Sequence, residues 1–203
     1  MSSLLESISV DERLKAYGIT DATSAACQEI GQLLNDDFHG FATLFWEAFR
    51  ASGSTTISGP TLERAIQRSA DYNVKKFGMA INAEWMELCA SEGDLVHASK
   101  VPPYSAAGAI CIANQAAIKR ILDLTDHSSH GQALVGYFQQ ISMVELELML
   151  TRTQILKDKE ARARVAEQSE LFRRQISSVV EHASGQSRTA REQSGQAAAE
   201  TRG

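Results

Sequence analysis

Apolar residues recur at intervals of three or four positions along most of this 203-residue chain. Such spacing places them on one face of a helix, whereas a half-buried strand alternates apolar and polar residues at every second position. Alternation of the second kind is scarce, and the only three prolines are Pro60, Pro102 and Pro103. The sequence therefore predicts an all-α fold of about six or seven helices.

Breaks in this periodicity divide the first half of the chain. One apolar face continues from Ile30 to Phe49, and Gly40 within it would permit a bend or a close helix crossing. The Ser/Gly/Thr/Pro-rich residues 51–60 then interrupt the pattern. The spacing predicts the next helix over 61–77.

Local signals divide the second half. Asn82 is a candidate N-cap for a short helix that Gly93 would loosen at its end. Pro102-Pro103 suits the start of another helix, since proline fits the first turn. Residues 126–131 indicate a turn, and a last helix runs on from Leu134.

The composition changes after Leu156, which predicts a first domain over 1–156 and a helical extension over 157–203. A four-three apolar spacing in the extension predicts a coiled coil. Because the chain ends within this pattern, we expect an output region beyond Gly203. The predicted seam comprises Val165, Ser169, Phe172, Ile176, Val179, Ala183, Gln186, Ala190, Gln193 and Ala197.

Charge and composition exclude several classes. The net charge is −5 and no basic stripe occurs, which disfavours a nucleic-acid partner. Neither a signal peptide nor a membrane span is apparent, so we expect a cytoplasmic protein. The odd number of cysteines, Cys27, Cys89 and Cys111, indicates reduced, partly buried thiols.

His97 is the most informative of the five histidines. It follows Leu95-Val96 and precedes Val101-Pro102-Pro103, a placement that combines apolar walls with a fixed backbone. A haem iron needs an imidazole nitrogen held by such packing. The remaining four, His39, His127, His130 and His182, read as surface or core residues.

Several segments together resemble the globin-coupled sensors, the family that includes the haem-based aerotaxis transducers. Residues 95–109, LVHASKVPPYSAAGA, resemble the family's junction between the proximal helix and the next one. Residues 12–20, ERLKAYGIT, resemble its N-terminal entry. Phe45-Trp46 is similar to its Phe-Tyr pair, and Phe77 with Trp85 to two aromatics before the proximal helix.

The resemblance implies a sensor globin with a reduced D region, followed by a signalling coiled-coil helix. It implies that His97 binds the iron of haem b and that the other face accepts a gas such as O2. Because no Ser-His-Asp, Cys-His or metal-protease spacing occurs, we expect no enzymatic activity. It further implies a homodimer through the last two globin helices. The Ser/Ala/Gln-rich tail around Ile176 and Val179 resembles the start of a methyl-accepting chemotaxis hairpin, which implies a chemotaxis kinase complex downstream. A histidine kinase or diguanylate cyclase linker would use similar heptads, so these outputs stay open. The remaining pocket residues would be Phe45, Trp46, Ile66, Ser69, Ala70, Phe77, Val96 and Tyr104.

Two departures from the family pattern concern the haem site. Trp46 stands where many members have a tyrosine, and the spacing from His97 to the prolines is one residue short. An indole donates through its N–H but accepts nothing. Ser69 or Asn73 could supply the missing polar group on the distal side, beside Ile66 and Ala70.

The expected dimer interface combines small residues on one helix with large apolar residues on the last one. Such helices could pair into a four-helix bundle. The residues are Ile110, Ala113, Ala117, Leu134, Phe138, Ile141 and Leu148.

Two alternatives remain open. A haem-free globin-like module for dimerisation or partner binding would fill the same apolar pocket with side chains or a non-haem ligand. An enzyme acting on peroxide or NO is the third hypothesis, although no catalytic spacing of Ser, His, Asp or Cys occurs.

Overall fold

The computed structural model describes residues 10–200, with side chains described at all of these positions except 188 and 190–200. Every regular element in this span is helical, which confirms the all-α prediction. None of the helices described here has a stretch apolar enough to cross a bilayer. The elements are α1 (Val10–Ala16), α2 (Asp21–Leu33), a 3-10 helix (Asn35–Asp37), α3 (Phe38–Ala51), α4 (Gly59–Gly78), α5 (Ala83–Ala98), α6 (Pro103–Leu124) and α7 (Ser129–Glu200).

The chain divides into two compact units, Met1–Leu156 and Lys157–Gly203. In the second unit, the larger apolar residues of the predicted seam are exposed, among them Val165, Phe172 and Ile176. The side chains of three seam residues lie outside the described set. They are Ala190, Gln193 and Ala197.

Stacked aromatic rings join three helices in the core of the first unit. The ring of Phe77 on α4 stacks on Phe38 of α3 at 5.6 Å and on Phe138 of α7 at 5.9 Å. Trp85 on α5 is fully buried beside them and donates from Nε1 to the carbonyl oxygen of Lys76 at 3.0 Å. This core therefore holds α3, α4, α5 and α7 together.

The predicted helix starts are confirmed where local chemistry sets them. Asn82 is the N-cap of α5, and its side-chain oxygen accepts from the N–H of Trp85 at 3.1 Å. Proline occupies the first turn of α6, which begins at Pro103. The helix predicted over 61–77 is α4, which already begins at Gly59 because Pro60 fits a first helical turn.

The apolar spacing predicted one continuous helix face from Ile30 to Phe49. This prediction is wrong. A 3-10 turn between α2 and α3 interrupts this face. The tight turn preserves the apolar spacing because both helices pack on the same core, so periodicity alone does not reveal the break. Gly40 makes no close crossing, since a Cβ there would meet nothing within 4 Å. The close crossing is at Gly31, where a Cβ would lie 2.7 Å from the carbonyl oxygen of Phe77.

Gly93 does not loosen the end of α5, contrary to the prediction. The helix continues through it to Ala98. A Cβ at Gly93 would lie 2.5 Å from the carbonyl oxygen of Met149 and 2.8 Å from Cβ of Arg152. The hydroxyl of Thr153 donates to the Gly93 carbonyl oxygen at 3.2 Å. The missing side chain thus allows the backbones of α5 and α7 to approach each other.

We predict that Gly93→Ala destabilises the protein by about 1–3 kcal/mol, because the added methyl group must displace the α7 backbone. The matched control is Gly40→Ala, which places the same methyl group in open space within a helix. It should raise the free energy of unfolding by up to about 1 kcal/mol. Urea unfolding followed by circular dichroism measures both, and equal effects would contradict the close contact.

Candidate functional site

A cavity of about 420 Å³ lies within the first unit. Five helices line it, from α3 to α7. This volume is within the range of about 300–1,000 Å³ that is usual for small-molecule sites. Its most distinctive property is the contrast between an aromatic part and a charged part.

Three aromatic side chains of α3 pack against one another in the apolar part of the wall. The rings of Phe45 and Phe49 stack at 5.7 Å, and Trp46 meets each of them edge to face at 5.4 and 5.6 Å. Nε1 of Trp46 donates to Oγ of Ser69 on α4 at 3.0 Å, which fixes the indole in this position. Ala106, Ala113 and Ala117 of α6 also line the cavity, and their small side chains leave the space open.

A buried ion pair forms the charged part. Nζ of Lys76 on α4 lies 2.8 Å from Oε2 and 2.9 Å from Oε1 of Glu145 on α7. The hydroxyl of Tyr72 donates to Oε1 of the same carboxylate at 2.7 Å. Lys76 is only 4% exposed and Glu145 only 9%, so each charge depends on the other for compensation.

The pKa values around this pair reflect the low local polarity. Burial raises the pKa of the Tyr72 hydroxyl well above its usual value, and the negative charge of Glu145 raises it further. Burial likewise raises the pKa of the Cys89 thiol, and it raises the pKa of Cys27 to about 12. These three groups therefore stay protonated near neutral pH.

A second ion pair lies farther along the cavity wall and joins α4 to α5. The guanidinium of Arg68 lies 2.6 Å from Oε1 of Glu92. Burial raises the pKa of the Glu92 carboxyl, while the neighbouring Arg68 opposes that rise. The side chain of Arg68 is 49% exposed, so this pair is in contact with solvent, unlike the pair of Lys76 and Glu145.

The structure brings together five of the nine residues predicted for the pocket. Phe45, Trp46, Ser69, Phe77 and Val96 line the cavity. The other four do not. Ile66 and Ala70 pack in the apolar core, Tyr104 is 76% exposed, and His97 is half-buried outside the cavity wall. Asn73, the other distal candidate, does line the cavity.

The position of His97 follows from the geometry of α5. Its cavity-facing stripe consists of Glu92, Leu95, Val96 and then Ser99, which caps the helix. Successive residues of an α-helix are rotated by about 100°. His97 is therefore turned away from the stripe to which Val96 belongs. A haem iron requires an axial ligand, and no histidine is among the described residues that line the cavity.

The other histidines lie at the surface. His39 is exposed, His130 pairs with Glu29 at 2.6 Å, and His127 lies 3.5 Å from Asp123. His182 is exposed and contacts Gln186. Over residues 10–187, no cluster of three or more His, Cys, Asp and Glu side chains could hold a metal ion.

The residues predicted for a dimer interface belong instead to the interior of one chain. Five are buried in the core, and the other two line the cavity. Their spacing is typical of an interface because core residues and interface residues recur with the same helical period. The buried ones are Ala117, Leu134, Phe138, Ile141 and Leu148, and the cavity residues are Ile110 and Ala113.

The sequence patterns did not indicate Tyr72, Lys76 and Glu145 as residues of a site. One signal was available, because Glu145 stands between the apolar positions Ile141 and Leu148 of the last helix, where a carboxylate is unexpected. Tyr72 and Lys76 lie four residues apart, which places them on one face of α4. Only the fold shows that this face points inward.

A scan against protein-family models finds no match for this chain, and a search of curated proteins finds none either.

We predict that Lys76→Met lowers the free energy of unfolding by about 3 kcal/mol or more, because it leaves the Glu145 carboxylate buried without a cation. The double variant Lys76→Met/Glu145→Leu should be much less destabilised, since an apolar pair replaces both charges. Chemical denaturation of the two variants and of Glu145→Leu gives the coupling energy. Additive effects would contradict the buried pair.

Proposed function

We propose that this chain is a globin-like sensor module whose cavity binds a small ligand directly, without haem. The observation that carries the proposal is the wall of the cavity, to which α5 contributes Val96 rather than His97. This is the haem-free alternative among the functions that the sequence leaves open. We propose no enzymatic activity for it.

The globin fold itself is part of the proposal. Support comes from the all-helical first unit and from the order of its helices around one cavity. The resemblance of residues 12–20 and 95–109 to the globin-coupled sensors adds to it. By that resemblance the setting is cytoplasmic, and the downstream partner is a chemotaxis kinase complex.

The last helix provides a route from ligand to output. Glu145 and Met149 of α7 both line the cavity, and the same helix carries the exposed heptad residues of the second unit. A ligand that contacts α7 more favourably in one packing arrangement shifts the population toward that arrangement. Signalling would thus depend on how α7 packs against the cavity.

A haem-based O2 sensor is the second candidate, and one observation favours it. His97 lies next to the lining residue Val96, within the last turn of α5. Trp46, whose N–H faces Ser69, is the residue that would stand on the distal side. If haem were bound, His97 would be the residue to hold its iron.

A spectroscopic experiment separates the two candidates. We expect no His97-dependent Soret band when the purified protein is titrated with haem, because His97 is turned away from the cavity. His97→Ala should give the same spectrum as the wild type, as should the surface control His130→Ala. A ferrous haem spectrum that is normal in the wild type and lost only in His97→Ala would establish the haem sensor instead.

We also propose a homodimer. Since the residues expected at its interface are buried within one chain or line the cavity, exposed apolar residues would make the contacts instead. In the first unit, Ile112 on α6 and Met143 on α7 are exposed apolar side chains on the two helices concerned. In the second unit, Phe172, Ile176 and Val179 are exposed at heptad spacing, which is the pattern of a coiled-coil seam.

Ile176→Glu should weaken this dimer at least tenfold, because it places a charge in the seam of each helix. Its effect on the monomer should be small, since Ile176 is 47% exposed. Arg174→Glu is the control, because this exposed position of the same helix lies on the side away from the seam. Light scattering over a concentration series measures the dissociation constant. A wild-type monomer at micromolar concentration would refute the dimer.

A further inference from the structure

The charged groups of the cavity wall are already paired with one another. Lys76, Tyr72 and Glu145 form a hydrogen-bonded cluster, and the aromatic side chains of α3 form another part of the same wall. A molecule that fills this space must therefore match an apolar surface and a polar cluster. The chemical class of that molecule can be inferred if the proposed function holds, because the inference rests on a cavity that binds a small ligand.

The charges of the cluster restrict the ligand's charge. Lys76 and Glu145 neutralise each other where both residues are more than nine-tenths buried. The second pair, Arg68 with Glu92, is also internally balanced. A charged group placed beside the buried pair would have no opposite charge left to compensate it, and burying such a group is costly. The geometry therefore favours an uncharged ligand.

The donors of the cluster restrict its hydrogen-bonding group. An ammonium group has three donors, and Glu145 accepts two of them at Oε1 and Oε2. Oε1 also accepts from the hydroxyl of Tyr72, so the carboxylate is well supplied. Nζ of Lys76 also lies 4.6 Å from the ring centroid of Phe77 and 5.2 Å from that of Tyr72. These rings attract the cation but offer no acceptor oxygen, so one donor of Lys76 is left for an oxygen of the ligand. A hydroxyl or carbonyl oxygen provides one without adding charge.

We propose that the cavity binds an uncharged, mainly apolar molecule with a single hydroxyl or carbonyl oxygen. The oxygen accepts a hydrogen bond from Nζ of Lys76, and the apolar body packs against Phe45, Trp46 and Phe49. Because Glu145 belongs to α7, the polar group of the ligand engages the same ion pair that joins α4 to the output helix.

Three probes that differ only in their head group test this proposal. We would titrate the full chain with 1-octanol, octanoate and octylammonium, using calorimetry and the fluorescence of Trp46, with Trp46→Phe to identify its share of the signal. The expected order has 1-octanol binding at least tenfold more tightly than either ion. Octanoate or octylammonium binding as tightly as 1-octanol would overturn the inference of an uncharged ligand.

Two variants test separately the contribution of the ion pair and that of the cavity volume. Lys76→Met/Glu145→Leu removes the ion pair without leaving a buried charge, and it should weaken 1-octanol binding about tenfold through the lost hydrogen bond. Ala113→Phe fills the cavity and should abolish binding of all three probes. Gln139→Ala, at an exposed position of α7 outside the cavity wall, should change nothing and is the control. Circular dichroism verifies the fold of each variant, and the head-group series on the wild type does not depend on any of them.

The outcomes distinguish this inference from the proposed function. If 1-octanol binds the wild type and the double variant equally, while Ala113→Phe blocks it, the cavity is a ligand site and only the role of Lys76 is refuted. If none of the probes binds the wild type, the inferred ligand class is wrong. A His97-dependent haem spectrum would refute the haem-free function itself, by a measurement that uses none of these probes.

Discussion

The buried pair of Lys76 and Glu145 is the constraint that the packing of the first unit must satisfy. Neither charge is stable in this interior without the other, so the pair holds α4 and α7 in one relative position. The backbone of Lys76 contributes as well. Its carbonyl lies in the last turn of α4, where no intrahelical donor is available, and it accepts from Trp85 Nε1 and Cys27 Sγ. One residue thereby links α2, α4, α5 and α7.

The same pair explains why the cavity wall is both apolar and polar. A space surrounded by aromatic rings and alanines alone would suit a purely apolar occupant. Here the wall also includes two compensated charges and the Tyr72 hydroxyl. These polar groups would fix the orientation of a bound molecule. Because one partner is on α7, the arrangement that shapes the proposed ligand site also shapes the helix that would carry the signal.

Much of the secondary structure could be predicted from the sequence, because its causes are local. The helical period, the Asn82 cap and the proline start of α6 each involve residues within one or two turns. The predictions that were wrong concern positions where contacts between residues far apart in sequence determine the structure. The break between α2 and α3 leaves the apolar spacing intact, and Gly93 has its role only because Met149 and Arg152 pack against it.

The sequence by itself determined that this chain is helical and which residues are apolar, since periodicity depends on the near neighbours of each residue. Only the tertiary structure decided which helix faces surround the cavity. Val96 and His97 are adjacent in the sequence, yet the orientation of α5 turns one toward the cavity and the other away. Likewise, Ile141 and Leu148 share the spacing of interface residues but are buried within one chain. Helical periodicity defines a face, and the partner of that face depends on packing between segments far apart in sequence.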